Sequence, residues 1–188
     1  MKIAVSGVGG AGKSTLCKRI AQSTNVPLMP DWMDTVLEEM RVKSGKELAE
    51  KQGEPGVIAW YIRALERKVE EDKKWEQFIT DKSVLDHGAR WYARKFASAT
   101  PEQYMQVEQL LNEGITVYDR IIFIPLNPLN MQTEDNALRV TDIKHRAIID
   151  ILTRGLAQKY NTDLDSYIFN FQDAPEKVLT DLGLDRAK

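Results

Sequence analysis

Met1-Lys-Ile-Ala-Val-Ser-Gly7-Val-Gly-Gly-Ala-Gly-Lys13-Ser-Thr15 opens the chain with a short apolar run, a glycine-rich loop and a lysine, in that order. Ile3 and Val5 read as part of a buried strand, and Leu16, Cys17 and Ile20 begin a helical repeat directly after the lysine. The loop between them spells G-x-x-x-x-G-K-[ST], the pattern that cradles nucleotide phosphates. Its glycines reach backbone conformations closed to residues with a Cβ, so successive N–H groups can turn inward around phosphate oxygens. The helix that follows adds the positive end of its dipole. Gly7, Gly9, Gly10, Ala11, Gly12, Lys13, Ser14 and Thr15 are therefore the expected contacts to ATP. Lys13 would reach the β- and γ-phosphates, and the Ser14 hydroxyl would hold Mg²⁺.

Outward from this loop, strand-like and helix-like segments alternate to the end of the chain, which predicts an α/β fold with a parallel sheet covered on both faces. A weak second strand is expected at Val26–Met29, a third at Phe78–Thr80 leading into Asp81, a fourth at Arg120–Ile124 and a fifth at Tyr167–Phe171. The continuous apolar run Arg120-Ile-Ile-Phe-Ile124 is the pattern of a parallel strand buried on both sides. Helices are expected from Asp31 to Met40, from Val57 to about residue 72, from Asp86 to Phe96, and from about Asp142 to Tyr160. Another follows Thr100-Pro-Glu-Gln103, a capping box with proline in the first turn, and ends at Gly114. Asp173-Ala-Pro-Glu176 is expected to cap the last. Residues 43–55, with Gly45, Gly53 and Pro55, read as a connection, and a lid-like region spans about 126–150.

A chain of 188 residues is long enough for one well-buried core and short for two, so it reads as a single domain over residues 1–188. The 26 basic and 28 acidic residues, net charge −2, lack the overall excess that attraction to a nucleic-acid polymer needs. One cysteine, Cys17, excludes an intramolecular disulfide. The apolar start is too short for a signal peptide, and no run approaches a membrane span, so the expected location is cytoplasmic. No Cys/His set has zinc-ligand spacing.

Phosphoryl transfer needs Mg²⁺, cations around the moving group and a residue that deprotonates or orients the acceptor. Ligands of open parallel sheets gather at the carboxyl ends of strands. Asp81 lies there, placed either to hold Mg²⁺ or a magnesium-bound water, or to cap the next helix. Asp31, closing the second strand, fits two roles equally: a base for an acceptor hydroxyl, or the N-cap of the helix after it. Arg139 and Arg146, with Lys144 and His145 between them, would stabilise charge on the moving phosphoryl from a closing segment. Lys82 and Arg90 are candidates to face substrate phosphate, and Trp32 and Trp60 to stack on a base, although core packing also accounts for aromatics at helical spacing.

These residues resemble the P-loop kinases of nucleosides and nucleotides, especially the small AAA-type proteins related to nicotinamide riboside kinases and deoxynucleoside kinases. The resemblance implies a three-layer P-loop sandwich with strand order 2-3-1-4-5 and a lid. It implies that Asp31, in Pro30-Asp31-Trp32, is the general base. It also aligns Asp81-Lys82-Ser83 with an Asp/Glu-Arg-Ser motif, with lysine in place of the bidentate arginine. The expected activity is Mg-ATP-dependent phosphotransfer to a nucleoside, nucleotide or related small hydroxyl acceptor. Two alternatives stand beside it: a kinase acting on a base or end hydroxyl within DNA or RNA, and a nucleotide-binding ATPase or switch. A homodimer is left open.

Overall fold

In the computed structural model, residues 1–30, 32–127, 143–170 and 172–184 are described. Five parallel strands form one sheet in the order β2-β3-β1-β4-β5, as the resemblance implies. The central strand is β1 (Lys2–Gly7), flanked by β3 (Phe78–Asp81) and β4 (Arg120–Ile124), with β2 (Leu28–Met29) and β5 (Asp165–Ser166) at the edges. The register sets Val5 opposite Asp81 and Gly7 opposite Ile124. The ends of β1, β3 and β4 therefore open onto the phosphate loop together.

Alternation along the strands explains the two layers of helices. Ile3 and Val5 point to one face and join Ile79 and Ile122, Leu16, Cys17 and Ile20 of α1 (Lys13–Thr24), and Val178 of α7 (Pro175–Asp181) in one core. Ala4 points to the other face and joins Ile121 under α3 (Gly45–Lys74), α4 (Val84–Arg94), α5 (Pro101–Ile115) and α6 (Ile143–Lys159). Both sets are excluded from water, which is why these strands read as continuous apolar runs. The short α2 (Trp32–Glu39) packs on α3.

Several boundaries differ from the sequence reading. The stretch 43–55 is mostly helix: Ser44 caps α3 by accepting the Glu47 amide at 3.1 Å, and Leu48 is fully buried. Gly53, with φ 65° and ψ −166°, breaks that helix into two runs, and Pro55 begins the second, so the glycine and proline mark a kink rather than a loop. The fifth strand comes earlier and is shorter than Tyr167–Phe171. The Tyr167 amide still donates to Phe123 O at 2.9 Å, but Ile168 is exposed and Phe169 turns away into the α1–α7 core. The β2 ladder itself is only Leu28–Met29; Pro27 reaches it through its carbonyl, which accepts the Ile79 amide at 2.8 Å, and Val26 precedes it. The helix after β3 starts at Val84, two residues ahead of Asp86, because Ser83 is its cap. Asp173 is not the cap of α7: Ala174 holds that position without a side-chain bond, and the Asp173 carboxylate pairs with Lys177 at 3.1 Å. The capping box at Thr100 and Gln103 forms as read, with α5 running one residue past Gly114. Most of the expected lid, residues 128–142, lies outside the described residues.

Candidate functional site

Gly7, the last residue of β1, takes φ +138°, and a Cβ there would stand 2.4 Å from the Ile124 carbonyl oxygen. Only glycine lets the loop leave the sheet this close to β4. Gly10 and Gly12 also lie at positive φ, and Gly12 is the N-cap of α1. The Lys13 ammonium crosses under the loop, donating to the carbonyls of Gly7 at 2.9 Å and Val8 at 3.0 Å. Burial pushes its pKa down, and Arg90 and Lys82 add to that, while Asp86 and Asp81 oppose it. Arg90 and Lys82 are thus within electrostatic reach of Lys13.

Ser14 donates its hydroxyl to Asp81 Oδ2 in a short hydrogen bond. Asp81 Oδ1 is buried and has no hydrogen-bond partner among the described residues. A hydroxyl beside a carboxylate with a spare oxygen is a hard donor set, suited to Mg²⁺ that keeps waters and takes its remaining ligands from phosphates. No group of three or more metal-ligating side chains occurs among the described residues, so a self-sufficient protein cage is absent there. The two residues fit the ion in this shared mode.

Arg146, near the start of α6, is 5% exposed. Its guanidinium lies over the loop, with Nη1 3.4 Å from where a Cβ on Gly10 would sit. Lys13, Lys82, Arg90 and Arg146 therefore gather around one loop, with Asp81 and Asp86 as the nearby acids. Lys82 itself adopts φ 106°, a costly conformation for a residue with a Cβ, and its amide donates to Val5 O at 3.0 Å.

The sequence reading missed Asp86. Its Oδ1 accepts the Gly7 amide at 3.0 Å and its Oδ2 accepts the Ser83 amide at 2.9 Å, so one carboxylate ties the loop to the start of α4. The signal was present: Ser83-Val-Leu-Asp86 is a capping-box pattern, and the box forms. Asp31 and Arg139 lie outside the described residues. Trp32 is half-buried, with the Arg67 guanidinium 5.6 Å from its ring centre and its Nε1 lacking a hydrogen-bond partner among the described residues. Trp60 sits in the core, 9% exposed, its ring 4.8 Å from that of Tyr61. Gly9, Ala11 and Thr15 are part of the loop and the first turn of α1, each half-buried. Lys144 is exposed, and His145 Nε2 accepts from Arg94 Nη2 at 3.1 Å.

Beside the loop lies a cavity of about 220 Å³, walled by Val8, Ala11, Ile124, Leu126, Ile168 and Phe169. The Arg19 guanidinium stands 5.2 Å from the centre of the Phe169 ring. No described helix is long and apolar enough to cross a membrane.

Sheet order, loop and flanking helices together define a P-loop fold of the kind found in small-molecule kinases. The chain belongs to the AAA domain family, whose sequence profile matches residues 2–165. Among solved structures it is similar to deoxyadenosine kinase from M. mycoides with the products dCMP and a flexible dCDP bound, at TM-score 0.68 and 16% identity over 100% of both chains. Shikimate kinase from Aquifex aeolicus is similar at TM-score 0.52 and 19% identity, covering 98% of this chain and 95% of that one. NadR in complex with NR matches 92% of this chain at TM-score 0.59 and 17% identity, over only 46% of its own length. No curated protein matches the chain.

Proposed function

We propose that the protein is a phosphotransferase that moves the γ-phosphoryl group of ATP, with Mg²⁺, to an oxygen of a nucleoside-like small molecule. The observation that carries this reading is the gathering of four cations and a Ser14–Asp81 pair around one glycine-shaped anion cradle. A triphosphate is the ligand whose charge answers that arrangement. The apolar cavity beside Val8 and Ala11 suits the flat ring of the nucleotide base.

The roles follow from position. Magnesium held at Ser14 and Asp81 would supply charge neutralisation at the phosphate oxygens. Lys13 and Arg146 stabilise charge on the moving group, joined in this reading by Arg139 from the lid, while Lys82 and Arg90 orient the acceptor side. The acceptor oxygen forms a bond to the γ-phosphorus as the bond to the bridging oxygen breaks, ADP departs, and Asp31 takes the acceptor's proton.

A small acceptor is favoured over a nucleic-acid strand by the state of the basic side chains on α3. Arg63 pairs with Glu66, Arg67 and Lys74 with Glu71, Lys73 with Glu113, and Lys95 at the end of α4 with Glu54. Cations already paired with carboxylates leave less uncompensated positive charge on this face for a phosphate backbone. Incubation with γ-labelled Mg-ATP and a panel of nucleosides, nucleoside monophosphates and hydroxymethylated DNA tests the reading. Label is expected on a small acceptor; label on none of them, or only hydrolysis, would sink it.

A further inference from the structure

A second set of charged groups lies under the helical layer, away from the loop. Lys68 and Asp72 of α3 are 2% and 1% exposed, paired at 2.9 Å. The Tyr118 hydroxyl, from the residues entering β4, donates to the same Asp72 oxygen at 2.7 Å. The Lys68 ammonium also stands 5.8 Å from the centre of the Tyr118 ring. Side chains spaced four apart on a helix ordinarily pair in water, whereas taking an ion pair out of water incurs a desolvation penalty that the pair itself seldom repays. Its two outward bonds show where this pair acts.

Lys68 Nζ donates to Thr80 Oγ1 at 3.2 Å, and the Tyr118 oxygen accepts the Val84 amide at 3.2 Å. Thr80 and Val84 bracket a three-residue turn made of Asp81, Lys82 and Ser83. Lys82 holds φ 106° there, and a strained residue persists only where its surroundings fix the backbone on both sides. Asp81, the first residue of the turn, carries the carboxylate bonded to Ser14. A free Thr80 or a free Val84 amide would let the turn relax and swing that carboxylate away from the loop.

We propose that Lys68, Asp72 and Tyr118 are positioning residues: a buried brace that fixes the Thr80–Val84 turn and so aims Asp81 at magnesium bound with the nucleotide. This rests on the phosphotransfer reading above. Burial raises the Tyr118 pKa well above the usual phenol value, which keeps the hydroxyl protonated and able to donate to Asp72 while it accepts from Val84.

The test is calorimetric binding of ATP with and without Mg²⁺ to the whole chain, comparing wild type, Tyr118→Phe, Thr80→Val, Asp81→Asn and Tyr118→Phe/Asp81→Asn. Both isosteric variants are expected to lose about 10-fold of the magnesium-dependent gain in affinity, with magnesium-free binding unchanged, as when a ligand's outer partner is removed. Tyr118→Phe should add nothing in the Asp81→Asn background. A lowered melting temperature with the magnesium gain intact would overturn the brace, as would a full Tyr118→Phe effect on top of Asp81→Asn. Failure of both isosteric variants to fold would also overturn it, marking the network as a folding element. Should wild type itself show no magnesium-dependent binding, the phosphotransfer reading falls first and the brace with it.

Discussion

Asp86 lies beneath the phosphate loop and accepts the amide of Gly7 at 3.0 Å, while its other oxygen accepts the amide of Ser83 at 2.9 Å. The two donors belong to different strands' ends, so one buried carboxylate fixes the distance between the loop and the turn that carries Asp81. The same charge is the largest influence keeping Lys13 protonated against burial.

Asp86→Asn keeps the shape but replaces one acceptor with an NH₂ that must face an N–H. We expect a loss of about 1–3 kcal/mol in urea unfolding, the typical penalty for a buried group left unsatisfied. The pH profile of ATP binding should change as well. Lys13 must be charged to hold phosphate, and its pKa is already below 10.5, so affinity is lost as pH rises through that lowered value. Removing the Asp86 charge lowers it further and moves the alkaline limb to lower pH. An unmoved limb would show that Asp86 does not govern Lys13.

Gly7, Gly9 and Gly10, three of the four loop glycines, differ in what a methyl group would meet, and stability should rank accordingly. Gly7→Ala places a Cβ 2.4 Å from a backbone oxygen at φ +138° and should cost the most, above about 3 kcal/mol. Gly10→Ala combines φ +83° with a contact at 3.4 Å to the Arg146 guanidinium, and about 1–2 kcal/mol is expected. Gly9 has no positive φ, and its Cβ would meet nothing within 4 Å, so Gly9→Ala should stay within about 0.5 kcal/mol of wild type. Thermal melting of the three variants checks the order; equal losses at Gly7 and Gly9 would falsify it.

What could be read ahead of the structure follows from how local each signal is. The phosphate loop is legible because its function demands particular backbone angles and a particular lysine within eight residues. The capping box at Thr100 is legible for the same reason. Lys68 and Asp72 were not: a spacing of four on a helix is the same for a pair in water and a pair in the core, and only the tertiary fold buries this one. Tyr167-Ile-Phe-Asn-Phe171 has the composition of a strand, but among the described residues the pairing stops with the Tyr167 amide, Ile168 being exposed and Phe169 buried in the core, and sequence alone does not say where an edge strand runs out. The helical run from Gly45 was hidden by Gly53 and Pro55, which interrupt it without ending it.

Cys17 and Tyr118 make stability fall at high pH. Burial raises both pKa values, from 9.0 for the thiol and 10.0 for the phenol, so the unfolded chain releases these protons before the folded one does. Each group's contribution is complete below its unfolded pKa and is lost as pH rises toward the folded value, at up to about 1.4 kcal/mol per pH unit. Lys13, with a lowered pKa, acts in the opposite sense below 10.5, so the comparison must be between variants. The stability difference between wild type and Cys17→Ala is expected to be constant below pH 9 and to shrink above it, measured by urea unfolding at several pH values. A difference independent of pH through 10 would mean that the thiol ionises in the folded protein as readily as in the unfolded one.

Arg146 is buried against the phosphate loop although it comes from a helix more than a hundred residues further along the chain. A guanidinium in that place offers a planar fork to phosphate oxygens, which a lysine ammonium cannot reproduce. Arg146→Lys should therefore retain ATP binding within a few-fold yet lower turnover of whichever acceptor is identified, by about 100-fold or more, the loss typical when a donor aimed at developing charge is removed. The split separates this role from packing. A residue that merely fills space over Gly10 would lower the melting temperature and leave turnover per folded molecule unchanged. A residue that only holds the nucleotide would raise the KM for ATP without touching kcat. Single-turnover kinetics of Arg146→Lys beside its melting curve decide among the three, and unchanged kcat would remove Arg146 from the transferring end of the site.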